Sequence, residues 1–359
     1  MTGQPATTRD NAAEAVAVAL EQGASAEQDK LAALLGELLE RARLGALDRH
    51  SLTRLTGGAS QQSWAFVAAD AAAERRAYVL RRLPEDAPLL DNAIGPECEA
   101  AAIAAAKRAG VPVPAVRHVL VPSDGLGRGF ISERVEGETI PRRIQRDPAF
   151  SEVRPRLAAE CGAILARLHQ ADMRSVAGLP HLPPRAKLER LRSLYRRLAV
   201  RRPVFEAAFR WLEDNMPTHD ATRGPALVHG DFRLGNLIID ANGVAAVLDW
   251  EMAHIGDPAE DLGWLTVNSW RFGNRSLPVG GLGTEADLLA GYIREGGVEI
   301  APGDLAFWRI FGSLNWGIGC IEMSLPQGPD VLPSIERAMI GRRSSEAEID
   351  ILDELLVLQ

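Results

Sequence analysis

The spacing of apolar residues changes period several times along the chain, and each change marks an element. Leu31, Leu34, Leu35, Leu38 and Leu39 recur at helical spacing. Residues 11–46 therefore read as one or two helices that end near Gly45. From Ser51 to Leu83 the pattern becomes that of strands. Ser51–Val67 reads as strand, glycine turn, strand, and Ala77–Leu83 as a third strand. A helix over about 96–109 follows. A strand over 116–121 and another from Phe130, which runs into a break at Gly137, complete a strand-rich region. Beyond it helical spacing dominates, over 153–171, 186–200, 203–216, 285–297, 304–324 and 345–358. Ser276–Thr284 is glycine-rich and reads as a mobile loop. Three regions result: an N-terminal helical extension (1–49), a small β-rich lobe (50–135) and a larger, mostly helical lobe (136–359).

One segment interrupts the helical half. Leu227–Trp250 reads as a short apolar strand, a polar loop, and a hairpin whose turn signal is Asn242-Gly243. The loop carries His229, Asp231 and Asn236, and the second hairpin strand ends on Asp249. Asp231 and Asn236 stand five apart, the D-x-x-x-x-N spacing of phosphoryl-transfer catalytic loops. There a carboxylate accepts the proton of an attacking hydroxyl, while an amide oxygen and a second carboxylate hold magnesium. The hairpin brings Asp249 back beside the loop. His229 is expected to be a buried, hydrogen-bonded loop residue without a chemical role. Asp257 is expected to cap the helix after it, and Asp261 to brace the loop.

The strand-rich half offers matching parts. Gly57, Gly58 and Ser60 lie in a turn that reads either as a plain hairpin or as one whose backbone N–H groups hold phosphates. Arg81 ends the third strand, where a cation would hold them, with Arg82 as its neighbour and competitor. Glu99, within the following helix, is the expected partner of Arg81.

Composition narrows the rest. The chain has 359 residues, 46% hydrophobic and 25% charged, ample for two lobes. A net charge of −8 argues against general nucleic-acid binding. Residues 185–202 are the exception, with eight Lys and Arg and one acid, Glu189. The reading is a solvated face, with attraction of an anionic substrate tail as the alternative. Cys98, Cys161 and Cys320 show no metal spacing and read as reduced structural thiols. No signal peptide and no membrane-spanning run is visible, so a cytoplasmic protein is expected. Six of the seven tryptophans lie from Trp211 onward. Trp308, Phe311, Asn315 and Trp316, at helical spacing, read as core with a pocket wall as the alternative.

The segments His229–Asn236, Ala246–Glu251 and Gly256–Leu262 closely resemble the aminoglycoside/choline-kinase-like phosphotransferase family. Leu55–Ser60, Val79–Arg82 and Ser132–Gly137 match it in the same order. The resemblance covers about residues 50–325. Its nearest branch is the phosphotransferase domains related to those fused to some acyl-CoA dehydrogenase homologues, which Phe307–Trp316 also resembles. It implies an α+β, protein-kinase-like two-lobe fold and transfer of the γ-phosphoryl of ATP, or in some members GTP, to a small-molecule hydroxyl. By that resemblance Asp231 is the base, Asn236 and Asp249 bind Mg²⁺, Arg81 holds phosphates, Glu99 orients Arg81, and the backbone from Glu133 to Val135 takes the adenine. Arginine stands where the family usually has lysine, and residues 1–49 have no counterpart in the core family. A hydroxyacyl acceptor, as the acid or a CoA thioester, is the expectation. An aminoglycoside acceptor and a non-catalytic nucleotide-binding module are the alternatives.

Overall fold

The computed structural model describes residues 27–55, 61–84, 89, 93–217, 224–325 and 335–358. Gly57, Gly58 and Ser60, and the helical reading of residues 11–26, lie outside the described residues. The chain divides into two compact units. One is Met1–Leu90 with Val116–Arg134, and the other is Asp91–Ala115 with Val135–Gln359.

The first unit is a five-stranded antiparallel sheet with one helix. Helix α1 (27–41) precedes β1 (Ala46–Leu55), β2 (Gln62–Ala69), β3 (Arg75–Leu83), β4 (Val116–Val119) and β5 (Arg128–Glu133), in the order β1-β2-β3-β5-β4. Side chains alternate across a strand, so Trp64, Phe66 and Ala68 of β2 share one face with Tyr78 and Leu80 of β3. That face meets Leu31, Leu35, Leu38 and Leu39 of α1 in a single buried cluster. The residues set apart in the sequence as an extension therefore supply half of this unit's core from 27 onward. Leu35 is fully buried, so Leu35→Ala should destabilise the unit by about 2–5 kcal/mol. Urea unfolding of the variant measures it, and an unchanged midpoint would show that α1 is a dispensable cover.

The same alternation sends the adjacent arginines to opposite faces. Arg82 points to the α1 face. Its Nε donates to Gln62 Oε1 at 3.0 Å, and it pairs with Glu27. Arg81, paired across the ladder with Ser63 and Phe130, falls on the opposite face.

The second unit is mostly helical. It contains α2 (Pro96–Arg108), α3 (Pro141–Arg146), α4 (Leu157–His169), α5 (Pro184–Arg197), α6 (Pro203–Asp214), the short strand β6 (Ala226–Val228) and the hairpin β7 (Leu237–Asp240) and β8 (Gly243–Val247). Strand β9 (His254–Gly256) pairs with β6, and α7 (Ala259–Leu265), α8 (Glu285–Arg294), α9 (Pro302–Ser324), α10 (Ile335–Arg342) and α11 (Ser344–Val357) follow. Helix α2, read from the sequence with the strand-rich lobe, belongs to this unit: Ile94 N–H just before it donates to Glu251 O at 2.8 Å. Glu99, on α2, is buried. The chain passes from the first unit to the second at Arg134–Val135. Glu133 is the last residue of β5, and its carboxylate receives Arg117.

Two local features differ from the sequence reading. Asp240 pairs directly with Gly243, so the hairpin turns on Ala241-Asn242. Asp240 Oδ1 accepts the N–H groups of Asn242 and Gly243, an Asx turn that competes with the Asn-Gly type. The glycine-rich 276–284 segment is pinned: Val279 and Leu282 are buried, and Gln145 Nε2 donates to Gly280 O at 2.9 Å and to Arg271 O at 3.1 Å. Glycine content signalled sharp turns here (Gly280 and Gly281 have positive φ), and distant Gln145 supplies the anchoring that sequence spacing does not show.

All three thiols are free. Burial raises Cys161 far above the usual thiol range and pushes Cys320 up to about 11, so both stay protonated and inert. Among the described residues no helix is long and apolar enough to cross a membrane.

Candidate active site

Strand β6 delivers its last residue, Val228, to a loop that one turn of helix α7 holds in place. Asp261 Oδ2 accepts the His229 N–H at 2.8 Å, and its Oδ1 accepts the Gly230 N–H at 2.9 Å. Three residues on, Trp264 Nε1 donates to Asp231 Oδ1 at 2.8 Å. Positions i and i+3 share a helix face, so one turn of α7 grips three successive loop residues. Helix α7 itself sits tightly on α9. A Cβ on Gly263 would lie 2.4 Å from Trp308 Cβ, and one on Gly312 would lie 3.0 Å from the Trp264 ring. Gly230 is required for another reason: its φ is +82°, and a Cβ would meet Met252 O at 2.5 Å.

His229 is fully buried and has no exposed nitrogen for chemistry. Its Nδ1 accepts the Asp231 N–H at 3.1 Å, and its Nε2 donates to Leu248 O at 2.9 Å, which fixes the ring as the Nε2–H tautomer. Leu248 N–H in turn donates to Asn236 O at 2.8 Å. The residue before Asp249 is thus tied to the loop from both of its peptide groups. Asp249 follows with φ +65° and ψ +63°, a left-handed conformation that costs a non-glycine residue on the order of 1 kcal/mol. Its charge acts on Asp231. Asp231, Asn236 and Asp249, spread over 19 positions in the sequence, therefore converge.

Asp231 is richly bonded. Arg233 Nε reaches both carboxylate oxygens, at 3.1 and 3.2 Å, and Asn236 Nδ2 donates to Oδ2 at 2.7 Å. Arg233 is held by its guanidinium 4.9 Å from the centroid of the Trp270 ring. Burial raises the Asp231 carboxyl above the ordinary aspartate range, against the pull of the Arg233 charge. Asn236 Nδ2 also donates to Asp231 O at 2.9 Å. With its amide hydrogens so committed, Asn236 offers its carbonyl oxygen, and Asp249 offers a carboxylate. Hard oxygen donors of this kind suit Mg²⁺, which takes one or two protein ligands and completes its shell with water and phosphate. Among the described residues no group of three or more His, Cys, Asp or Glu is placed to hold a metal ion.

Asp261 is the keystone of the loop. His169 Nε2 lies 3.3 Å from its Oδ2, and His169 Nδ1 meets Tyr292 OH at 2.9 Å. Burial would raise this carboxyl, but the hydrogen bond and charge of His169 and the backbone donors outweigh it and hold it below 3.8. A depressed carboxyl stabilises the fold fully above its unfolded value and loses that contribution as pH falls through the lower folded value. Asp261→Ala should therefore cost about 3 kcal/mol near neutral pH, with the gap to wild type closing only below about pH 3.8. Denaturant titrations across pH test this; a gap that closes near pH 6 would reassign the effect to a histidine.

Beside the loop lies a cavity of about 520 Å³, lined by residues of α5, α7, β9 and α9 together with Gly230. Trp264, Trp308 and Phe311 form an aromatic wall, with Asn315 next to it. Sequence spacing places Trp308, Phe311 and Asn315 on one helix, but not against this loop. Trp308 is also anchored by its Nε1, which donates to Asp257 Oδ2 at 3.0 Å, while Asp257 Oδ1 caps Ala259 N–H as expected. Trp316 instead packs on Trp270, 4.8 Å between centroids. A larger cavity of about 1060 Å³ between α5 and α6 contains none of the loop residues.

The acyl-CoA dehydrogenase family member 11 of Gallus gallus is 34% identical over 223 residues, 58% of this chain and 27% of its own length. The Homo sapiens protein of that name is 29% identical over 297 residues, 75% of this chain and 34% of its own. The Mus musculus acyl-CoA dehydrogenase family member 10 is 31% identical over 252 residues, 66% and 22%. The chain thus spans only about a fifth to a third of the length of these relatives. Among solved structures, a Ralstonia eutropha protein assigned as an aminoglycoside phosphotransferase superimposes with a TM-score of 0.69 at 21% identity, over 89% of this chain and 97% of its own. The spectinomycin phosphotransferase solved with ADP and spectinomycin gives 0.55 at 13%, over 88% and 97%. The fold is the two-lobed α+β fold of these kinase-like enzymes. The model of the phosphotransferase enzyme family matches residues 51–306, well over half of the sequence, and the chain belongs to that family.

Proposed function

We propose that the protein is a small-molecule kinase that moves the γ-phosphoryl group of ATP, or of GTP, to an acceptor hydroxyl. The observation that carries this is the tie through Leu248, which joins the backbone of Asn236 and, through the His229 ring, that of the base candidate Asp231 to the residue just before Asp249. Asp231 accepts the proton of the attacking hydroxyl. Trp264 and Arg233 fix the direction of its carboxylate, so little reorganisation is needed as the proton moves. Asn236 Oδ1 and the Asp249 carboxylate would hold Mg²⁺, which when bound neutralises phosphate charge. Arg81 would hold phosphates with Glu99 orienting it, Gly57, Gly58 and Ser60 would cover them, and the backbone from Glu133 to Val135 would take the adenine.

For the acceptor, the 520 Å³ cavity favours a hydroxyacyl compound, as the free acid or a CoA thioester. Its aromatic wall suits an aliphatic chain, and Lys187, Arg190 and Arg197 line it against two acids, Glu189 and Glu260. A polycationic aminoglycoside would meet like charge there. The names of the matched relatives, acyl-CoA dehydrogenase family members, point the same way. A panel of short hydroxy acids, their CoA thioesters and aminoglycosides, scored for Mg²⁺-dependent ATP consumption, is expected to show turnover with the acyl compounds. Turnover confined to aminoglycosides would overturn the acceptor assignment, and none with any hydroxyl compound would overturn the kinase reading.

A further inference from the structure

The proposed phosphoryl transfer makes no use of a buried charged cluster beside the acceptor cavity. Lys187 of α5, Glu260 of α7 and His254 of β9 come together on the wall of the acceptor cavity. Lys187 Nζ bonds Glu260 Oε1, and His254 Nε2 meets Glu260 Oε2 at 3.2 Å. His254 Nδ1 is anchored to Met252 O at 3.0 Å. Glu260 and His254 are buried, and the Lys187 side chain keeps 16% of its surface accessible. Of the three, Lys187 is therefore the one with surface to offer a ligand. Its Nζ also lies 5.8 Å from the centroid of the Phe311 ring, on the aromatic wall.

A buried ion pair seldom adds net stability over apolar packing of the same volume, because both ions lose water. Here it sits in a cavity, beside a loop bearing the catalytic carboxylate, where a strong donor is of use. Glu260 has a second partner in His254, so Lys187 can turn one of its three N–H groups to a ligand without leaving Glu260 alone. Burial would raise the Glu260 carboxyl, but Lys187 and His254 hold it below the ordinary range, so it stays an anion that keeps Lys187 in place. The remaining lining adds Arg190 and Arg197 against Glu189, a net positive wall in a chain of net charge −8.

We propose that Lys187, positioned by Glu260 and His254, reads an anionic group on the acceptor and thereby selects acidic hydroxyl compounds over neutral ones. This rests on the kinase reading above and names the substrate class of the same site. The anion is the carboxylate of a free hydroxy acid or a phosphate of its CoA thioester, and the two are separable by experiment.

The test compares wild type, Lys187→Met, Lys187→Arg and the double variant Lys187→Met/Glu260→Gln, which removes both charges together. Each is assayed for ATP consumption with short straight-chain hydroxy acids, their methyl esters, their CoA thioesters and their pantetheine thioesters. Melting temperatures show that each variant is folded. Wild type is expected to prefer the acid or CoA thioester over its neutral counterpart. Lys187→Met and the double variant should reduce that preference by roughly 10–100-fold through KM, the loss of one charge-assisted hydrogen bond, and Lys187→Arg should restore part of it. A loss confined to the acid–ester pair assigns the carboxylate, and one confined to the CoA–pantetheine pair assigns the phosphates. Wild type that uses esters as well as acids, or a preference that survives in both Met variants, overturns the proposal and leaves the kinase reading standing. No ATP consumption by wild type with any acceptor overturns both.

Discussion

Asp231→Asn is expected to lower turnover by roughly 10²–10⁴-fold, the range for loss of a general base. The amide is nearly the same size but does not take up the proton of the hydroxyl. Its surroundings make the result interpretable. Trp264, Arg233 and Asn236 all direct donors at this carboxylate, so the position is held whether or not substrate is present. Burial raises the carboxyl above the ordinary aspartate value of 3.8. A raised carboxyl stabilises the fold most below its unfolded value and subtracts stability as pH rises through the folded value. The neutral amide removes that penalty near neutral pH but replaces one of the two acceptor oxygens that Arg233, Trp264 and Asn236 bond, so melting curves establish that the variant is folded while its activity collapses. The same shift puts the acid limb of wild-type kcat above the range of a free aspartate. Steady-state rates across pH, with melting curves on the same samples, check both. Full activity in a folded variant would remove Asp231 from the mechanism. Mg²⁺-dependent ATP hydrolysis that disappears with Asp231 would speak against a non-catalytic nucleotide-binding module.

The sequence displayed this site because most of its grip is local. Asp231, Asn236, the hairpin and Asp249 fall within one short stretch, and strand periodicity alone returns Asp249 to the loop. Asp261 was legible for a similar reason, as an acid in the first turn of a helix that follows the motif directly. Trp264 was not assigned, although its i+3 spacing from Asp261 carried the signal: a helix whose acid braces the loop must turn the same face to the next loop residue. Lys187 and Glu260 lie 73 positions apart, and each is an ordinary helix residue by itself. Their meeting is a product of how α5 and α7 pack, which periodicity does not encode. The basic segment illustrates the limit. Its charge was plain in the sequence, yet only the three-dimensional arrangement separates Lys187, on the cavity wall beside the loop, from Arg192, which stacks 4.7 Å from the Phe209 ring. The first unit shows the same limit: the leucines of α1 announced a buried face, but not that strands β2 and β3 would cover it.

Asp249→Ala is expected to abolish Mg²⁺-dependent nucleotide binding. In the proposed site Asn236 and Asp249 are the two side-chain oxygen ligands, so removing the charged one leaves a neutral amide oxygen, Asn236 Oδ1, to hold a strongly hydrated dication. Mg²⁺ gives up water reluctantly, and a neutral carbonyl alone compensates little of that cost. The backbone makes the position harder to substitute than its exposure suggests. Asp249 is held at φ +65° by the bonds that fix Leu248 on one side and by the turn Trp250–Met252 on the other. Aspartate and asparagine tolerate this region better than alanine does. Asp249→Asn therefore serves as the companion variant, keeping the backbone preference while removing the charge. Calorimetric titration with ATP, with and without Mg²⁺, should show a wild-type enhancement by the metal that is lost in both variants. Loss in Ala with retention in Asn would assign the residue's effect to its conformation and remove the charge from the metal site. Unchanged Mg²⁺ dependence in both would remove Asp249 as a ligand.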